Sequence, residues 1–205
     1  SSAQARHAHD LHAANMVSDA IWDYLPYGPF AAETAYRAWA EDMAVRQDPW
    51  FAALIDKATG RAAGVASYLR IDPASGSIEV GHINLAPAIQ RTRAATEAMH
   101  LMMAWAFEAG YRRYEWKCNA LNLGSRRAAE RYGMSYEGIF RQASVVKGRN
   151  RDTAWFAAID GEWPALKTAF ETWLDPVNFD AEGRQRQSLS DLTRRVLVTR
   201  DPGLV

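Results

Sequence analysis

The stretch from Ser77 to Gly110 limits what this chain can fold into more than any other. It opens on Ile78, Val80, Ile83 and Leu85, a short apolar run with β-branched residues, which predicts a strand. Pro87 has no amide hydrogen, so strand pairing has to stop there. From Ala94 the composition turns to Ala, Met, Leu and Glu and runs to Gly110, which predicts a helix of about four turns with a glycine stop. A strand that breaks at a proline and resumes as a helix leaves unpaired amides at the helix start. Those amides and the helix dipole make an anion site.

The other elements follow from periodicity and turn residues. Arg6–Ala14 reads as a short helix and Ala32–Arg46 as a second. Between them Trp22, Tyr24, Leu25, Tyr27 and Phe30 are interrupted by Pro26, Gly28 and Pro29, which predicts an aromatic loop. Trp50–Asp56 and Ala63–Ile71 are strands joined by K-A-T-G-R, and D-P-A-S-G leads into the Ser77 strand. Arg113–Asn119 is a strand, Leu123–Arg131 a helix closed by Gly133, and Tyr136–Val146 with Asp152–Ile159 a hairpin. Trp163–Leu174 is a helix with Pro164 in its first turn. A polar segment follows, with Leu189–Val198 as a terminal helix. This alternation predicts an α/β or α+β sandwich with a mixed sheet, as one domain over residues 1–175 and a tail over 176–205.

Bulk properties exclude several classes. Lys plus Arg and Asp plus Glu are 24 each, so the net charge is zero and no general nucleic-acid footprint exists. Cys118 is the single cysteine, which excludes an intrachain disulfide framework and points to a reducing, cytoplasmic setting. No apolar run approaches the roughly twenty residues of a membrane span, and no signal-peptide pattern is visible. The chain opens on S-S-A-Q without Met, so its true start is expected to be missing or processed. His7, His9 and His12 have no matching carboxylate or thiolate set, so no metal site is expected. Met99, Met102, Met103, Trp105 and Phe107 read as core packing.

The segment L-A-P-A-I-Q-R-T-R-A-A-T-E-A resembles the cofactor segment of the GCN5-related N-acetyltransferases, in particular the RimJ/RimL type. That segment typically reads V-x-P-x-x-Q-G-x-G-x-A-T-E-A. Leu85, Pro87, Gln90, Ala95, Thr96, Glu97 and Ala98 match it, while Arg91 and Arg93 stand where the family has two glycines. Downstream, K-C-N-A-L-N-L-G-S-R-R-A-A-E-R-Y-G-M resembles the second cofactor segment and Y-E-G-I-F-R-Q-A the following strand. The resemblance runs from Trp50 to Asp160. It implies a mixed, mostly antiparallel sheet flanked by helices, with a V-shaped splay between two central parallel strands that accepts the pantetheine arm. Family members usually carry a strand before the first helix, and none is visible here.

The implied chemistry is transfer of an acetyl group from acetyl-CoA, the co-substrate, to a primary amine by direct attack in a ternary complex. The amine is a peptide or protein N-terminus or a small molecule. The chain must hold a polyanionic nucleotide, polarise a thioester, accept a proton and stabilise a thiolate. By resemblance the cofactor is held by Leu85, Gln90, Arg91, Thr92, Arg93, Ala94, Ala95, Thr96 and Asn122, with the main chain at Leu85 on the thioester carbonyl. The arginines either pair with the pyrophosphate or are solvated charges at a helix start. Ser125 matches the donor to the leaving thiolate, although Asn122 and Ser125 are also ordinary helix caps. Glu79 is the leading proton acceptor and His82 its rival, with loss of the proton to solvent a third route. Alternation places Glu79 with Gly81 and His82 with Val80.

Some family members carry a glutamate where this chain has Ser144, so that role does not transfer. Cys118 reads as a small buried hydrophobe. The acceptor is expected beside the aromatic loop, on Trp22, Tyr24 and Tyr27, with Asp23 and Glu33 attracting its charge; the same rings can instead close the core. No nucleic acid or membrane partner is expected, and a homodimer stays open. The alternative reading, kept alive by Arg91 and Arg93, is a catalytically degenerate relative that binds acyl-CoA or another chain.

Overall fold

The structure is a computed structural model, and it describes residues 6–204; the S-S-A-Q start lies outside the described residues. Six strands form one sheet in the order β1-β2-β3-β4-β6-β5. They are β1 (Trp50–Asp56), β2 (Arg61–Asp72), β3 (Ser77–Leu85), β4 (Arg113–Asn119), β5 (Ser135–Val146) and β6 (Arg149–Ile159). The sheet is mixed and flanked by helices, and β3 and β4, joined through a helical crossover, are its parallel pair. The chain falls into two compact units, Ser1–Ile71 with Glu79–Met99, and Asp72–Ile78 with His100–Val205.

In the first unit, α1 (Ala8–Asn15) and α2 (Glu33–Ala44) pack against β1 and β2 residues. Tyr36 and Ala40 face inward on α2, with Trp39 and Met43 half-buried beside them, the stripe that a 3.6-residue period dictates. Ala8, Leu11, Trp22, Phe51, Ala62 and Val65 complete this core. The loop between the helices begins as a 3₁₀ turn at Asp19–Trp22. Gly28 lies against the Trp22 indole, where an added Cβ would come within 2.5 Å of the ring, and its φ is +70°. Only glycine fits that approach. Among the described residues no strand precedes α1. Helix α3 (Arg93–Glu108) begins in this unit and ends in the second.

In the second unit, β4 alternates cleanly. Tyr114, Trp116 and Cys118 are buried, and Arg113, Glu115 and Lys117 line the other face. Glu115 accepts from Arg113 at 2.6 Å and pairs with Lys117 at 2.7 Å, and Lys117 lies over the Trp155 ring. β4 pairs antiparallel with β6, setting Trp116 opposite Phe156 and Cys118 opposite Ala154. β5 pairs with β6 through two irregularities and leaves Ile139, Phe140 and Val145 exposed. Helix α4 (Leu123–Arg131) follows β4, and α5 (Trp163–Leu174) buries Leu166, Ala169, Phe170 and Trp173. Met102, Met103 and Ala106 are buried on α3, but Trp105 is half-exposed, contrary to its reading as core. It shares with Leu101, four residues earlier, an exposed face of α3.

The tail belongs to this unit too. Helix α6 (Leu189–Thr193) is shorter than the Leu189–Val198 expected. Its continuation is claimed by β5: the Val198 amide donates to Ser135 Oγ at 2.9 Å and the Tyr136 amide to the Thr199 carbonyl at 3.3 Å. Thr193 Oγ1 donates to the Arg131 carbonyl. Asp201, 1% exposed, accepts two hydrogen bonds from the buried Arg126 guanidinium, at 2.7 and 2.5 Å. Gly203 passes over that guanidinium, where a Cβ would lie 2.5 Å from a nitrogen.

Candidate active site

The turn expected to hold an anion is built in the first unit. The Ala86 amide makes the last bond of β3, to the Ala63 carbonyl at 2.9 Å, and Pro87 then starts a 3₁₀ turn, Pro87–Ile89. The Gln90 side chain reaches back and donates to the Leu85 carbonyl at 2.9 Å. Arg91 has φ +62°, the left-handed conformation that favours glycine. The backbone therefore turns as it would with glycine, although the residue is arginine. Thr92 closes the turn as a cap: its Oγ1 donates to the Ile89 carbonyl at 2.7 Å and accepts from the Ala95 amide at 3.3 Å. The Thr96 amide goes to the Thr92 carbonyl, while the Ala94 amide has no acceptor among the described residues. Ala95 and Thr96 are buried, whereas Arg91 and Arg93 are exposed.

The strand leading to this turn carries the expected proton acceptors. Glu79 is 3% exposed and its Oε2 takes a 2.8 Å ion pair from Arg70. Gly81 lies on its side of the strand, as alternation predicts. His82 has φ +49°, which breaks that alternation, and its ring stacks on Tyr27 with centroids 5.6 Å apart and lies 5.2 Å from Phe51. Its Nδ1 is 3.2 Å from the Tyr27 hydroxyl. Burial, and secondarily the neighbouring Tyr36, pushes the Tyr27 phenol far above its ordinary range, so it stays protonated. Asn84 was not singled out by its sequence context. It is 3% exposed, and neither its Oδ1 nor its Nδ2 finds a partner among the described residues.

Of the aromatic loop, Tyr27 joins His82, Tyr24 is exposed, and Trp22 is 3% exposed. Trp22 sits edge-on to Tyr27, Phe30 and Tyr36 and forms the floor of the cluster. Glu33 is engaged by His9 and Arg37, the His9 hydrogen bond first holding its carboxyl below the usual range, whereas Asp19 and Asp23 of the loop are exposed.

In the second unit Asn122 and Ser125 come together at the start of α4. Asn122 Oδ1 accepts from the Ser125 amide at 3.0 Å, a helix cap, and its NH₂ group takes no acceptor among the described residues. The Ser125 hydroxyl accepts from the Trp116 indole Nε1 at 2.9 Å, and the buried Cys118 thiol is its neighbour. Burial raises that thiol, and the Ser125 contact offsets part of the rise. Trp116 was missed as a site residue. A signal existed: β4 alternation buries its indole, and a buried indole N–H requires an acceptor.

A family model described as an acetyltransferase (GNAT) domain matches residues 2–135. The chain belongs to the GNAT acetyltransferase family. Among solved structures, a GCN5-related N-acetyltransferase from Brucella melitensis is 48% identical, with 92% of this chain and 87% of that chain covered and a TM-score of 0.90. A probable GNAT-family acetyltransferase from Chromobacterium violaceum is 44% identical over 78% of this chain and 81% of that chain, with a TM-score of 0.74. RimL, a ribosomal L7/L12 alpha-N-protein acetyltransferase in complex with coenzyme A, shares the fold at 21% identity and a TM-score of 0.62, with 76% and 90% covered. No curated protein matches the chain. Among the described residues no helix is long and apolar enough to cross a membrane.

Proposed function

We propose that this chain is an acetyl-CoA-dependent N-acetyltransferase of the RimJ/RimL type, acting in the cytoplasm on a primary amine of a peptide or protein N-terminus or of a small molecule. The observation that carries this reading is the left-handed backbone at Arg91: the arginine occupies the glycine position without abolishing the glycine conformation. The residues suit acetyl-CoA. Among the described residues the Ala94 amide is unclaimed and Asn84 holds a buried amide without a partner, and two arginines flank the helix start. Acetyl-CoA, when bound, supplies the thioester. Arg91 and Arg93 pair with its pyrophosphate, as guanidinium forks do. The Leu85 amide holds the carbonyl oxygen, Asn122 and Asn84 hydrogen-bond the amide-bearing pantetheine, and Gln90 keeps the turn closed through the Leu85 carbonyl.

Ser125 stabilises the leaving sulfur. Its oxygen accepts the Trp116 indole hydrogen, so its own proton is the one available to donate. For the amine's proton we favour His82 over Glu79. In the tautomer whose Nδ1–H donates to the Tyr27 oxygen, Nε2 carries the lone pair, whereas the Glu79 carboxylate is buried and held by Arg70. Tyr27 and Tyr24 then face the acceptor, and Trp22 supports them from below.

The burial of Glu79 also favours a second reading, a relative that binds acyl-CoA without turnover. A thiol-release assay with acetyl-CoA and a panel of peptide and small amines decides. Amine-dependent release that H82N loses while retaining acetyl-CoA binding supports the enzyme. Binding without release under any amine refutes it.

A further inference from the structure

In the second unit a cavity of about 310 Å³ lies where the tail crosses α4, and four arginines line it: Arg127 and Arg131 from α4, Arg194 and Arg200 from the tail. Among the described residues Glu130 is the one carboxylate in its wall. The lining therefore carries four positive groups against one negative. Glu130 is already engaged, since Arg200 Nε donates to its Oε1 at 2.9 Å and the Asp201 amide to its Oε2 at 3.0 Å.

The fold makes unequal use of these arginines. Arg200 docks the tail through Glu130, and Arg131 lies over the Trp173 ring at 4.9 Å, in the last turn of α4 where the helix dipole favours a cation. Among the described residues Arg194 reaches only Asp191, at 3.5 Å and with both side chains exposed, a geometry of little energetic value. Arg127 has no carboxylate partner among the described residues. Gathering like charges at this junction costs electrostatic energy, and burial lowers the pKa of Arg131, the sign of a cation taken out of water.

We propose that Arg127, Arg131, Arg194 and Arg200 form a binding site for a small phosphate-bearing anion, whose occupancy holds the tail on α4. Guanidinium forks match the oxygens of a phosphate, and this cavity has several arginines in its lining. The volume is at the lower limit of small-ligand sites, which fits a phosphate or pyrophosphate group rather than a large cofactor. A ligand that binds only when the tail is docked must stabilise that docking by mass action. The site is independent of the acetyl-transfer reading, and Arg127 faces away from Ser125 on α4, two residues on.

Calorimetric titration with inorganic pyrophosphate tests this, in the full chain carrying R91A/R93A so that the turn before α3 does not contribute. Ionic strength is held constant with sodium chloride. One site is expected, with a rise in melting temperature. Adding R127A/R194A is expected to weaken binding by about tenfold or more, through loss of two charge-assisted donors, and to remove the thermal shift. Absence of binding in the R91A/R93A chain, or undiminished binding after R127A/R194A, overturns the proposal. Both side chains are exposed, so the fold should survive. If it does not, R127K/R194K makes the same comparison, and unchanged affinity there overturns the proposal equally.

Discussion

The indole Nε1 of Trp116 donates to Ser125 Oγ at 2.9 Å, so a strand residue on the buried face of β4 sets the direction in which a helix-start hydroxyl offers its proton. If that hydroxyl serves the leaving thiolate, both residues act on turnover. S125A is expected to lower kcat by about 100- to 1,000-fold, the cost of one oriented donor. W116F keeps an aromatic ring but loses the indole N–H, and some volume with it, and should lower kcat by about tenfold. Acetyl-CoA affinity should be unchanged in both. Steady-state kinetics with calorimetry check this, and wild-type kcat in W116F would leave the indole a packing role alone.

Arg91 predicts opposite effects on stability and binding. R91G relieves a left-handed arginine and should raise stability by up to about 1 kcal/mol. The same change removes a phosphate partner, so acetyl-CoA binding should weaken and lose part of its salt dependence. Chemical denaturation and titration at two salt concentrations measure the pair. A variant that is both less stable and equally good at binding would contradict the assignment.

Asn84 combines burial with two unpartnered polar atoms. N84L should be neutral or stabilising in the ligand-free protein, because an unmet desolvation cost is removed. It should weaken acetyl-CoA binding by about tenfold if the amide serves the cofactor. A destabilised N84L with normal affinity would show instead that the amide supports the fold.

The Arg126–Asp201 pair is buried on both sides. D201A leaves a guanidinium without its counter-charge and should cost about 3 to 5 kcal/mol. R126M/D201L, which removes both charges, should recover most of that loss. Urea unfolding of the three proteins tests whether the tail is anchored here.

Three tyrosines predict alkaline sensitivity. Burial raises the phenols of Tyr27, Tyr36 and Tyr68 above the ordinary value of 10.0, with Tyr36 adding to the rise at Tyr27. Their contribution is fully present below the unfolded value and is lost as pH climbs past it. Each should remove about 1.4 kcal/mol per pH unit above that point. Tyr36 is also fully buried, with no partner for its hydroxyl among the described residues. Y36F should therefore gain about 1 kcal/mol at neutral pH and flatten the alkaline fall. Melting curves from pH 8 to 11 read both.

Local chemistry made most elements legible. Pro87 ends β3 because it cannot donate, and Gly133 follows α4, and both effects act within a few residues. The family segment around Leu85–Thr96 was legible for the same reason: its residues are contiguous in sequence. Other features depend on neighbours distant in the chain. Alternation placed Glu79 beside Gly81, but not the Arg70 guanidinium that closes over it. Helical period could not separate Trp105 from the methionines until the core chose a face. The terminal helix stops at Thr193 because Ser135, 58 residues earlier than that threonine, takes the amide of Val198. The sequence by itself determined the order of strands and helices and the family they serve. Tertiary structure decided which polar groups are paired, covered or left without partners, because burial and hydrogen bonding depend on side chains that meet only after the chain has folded.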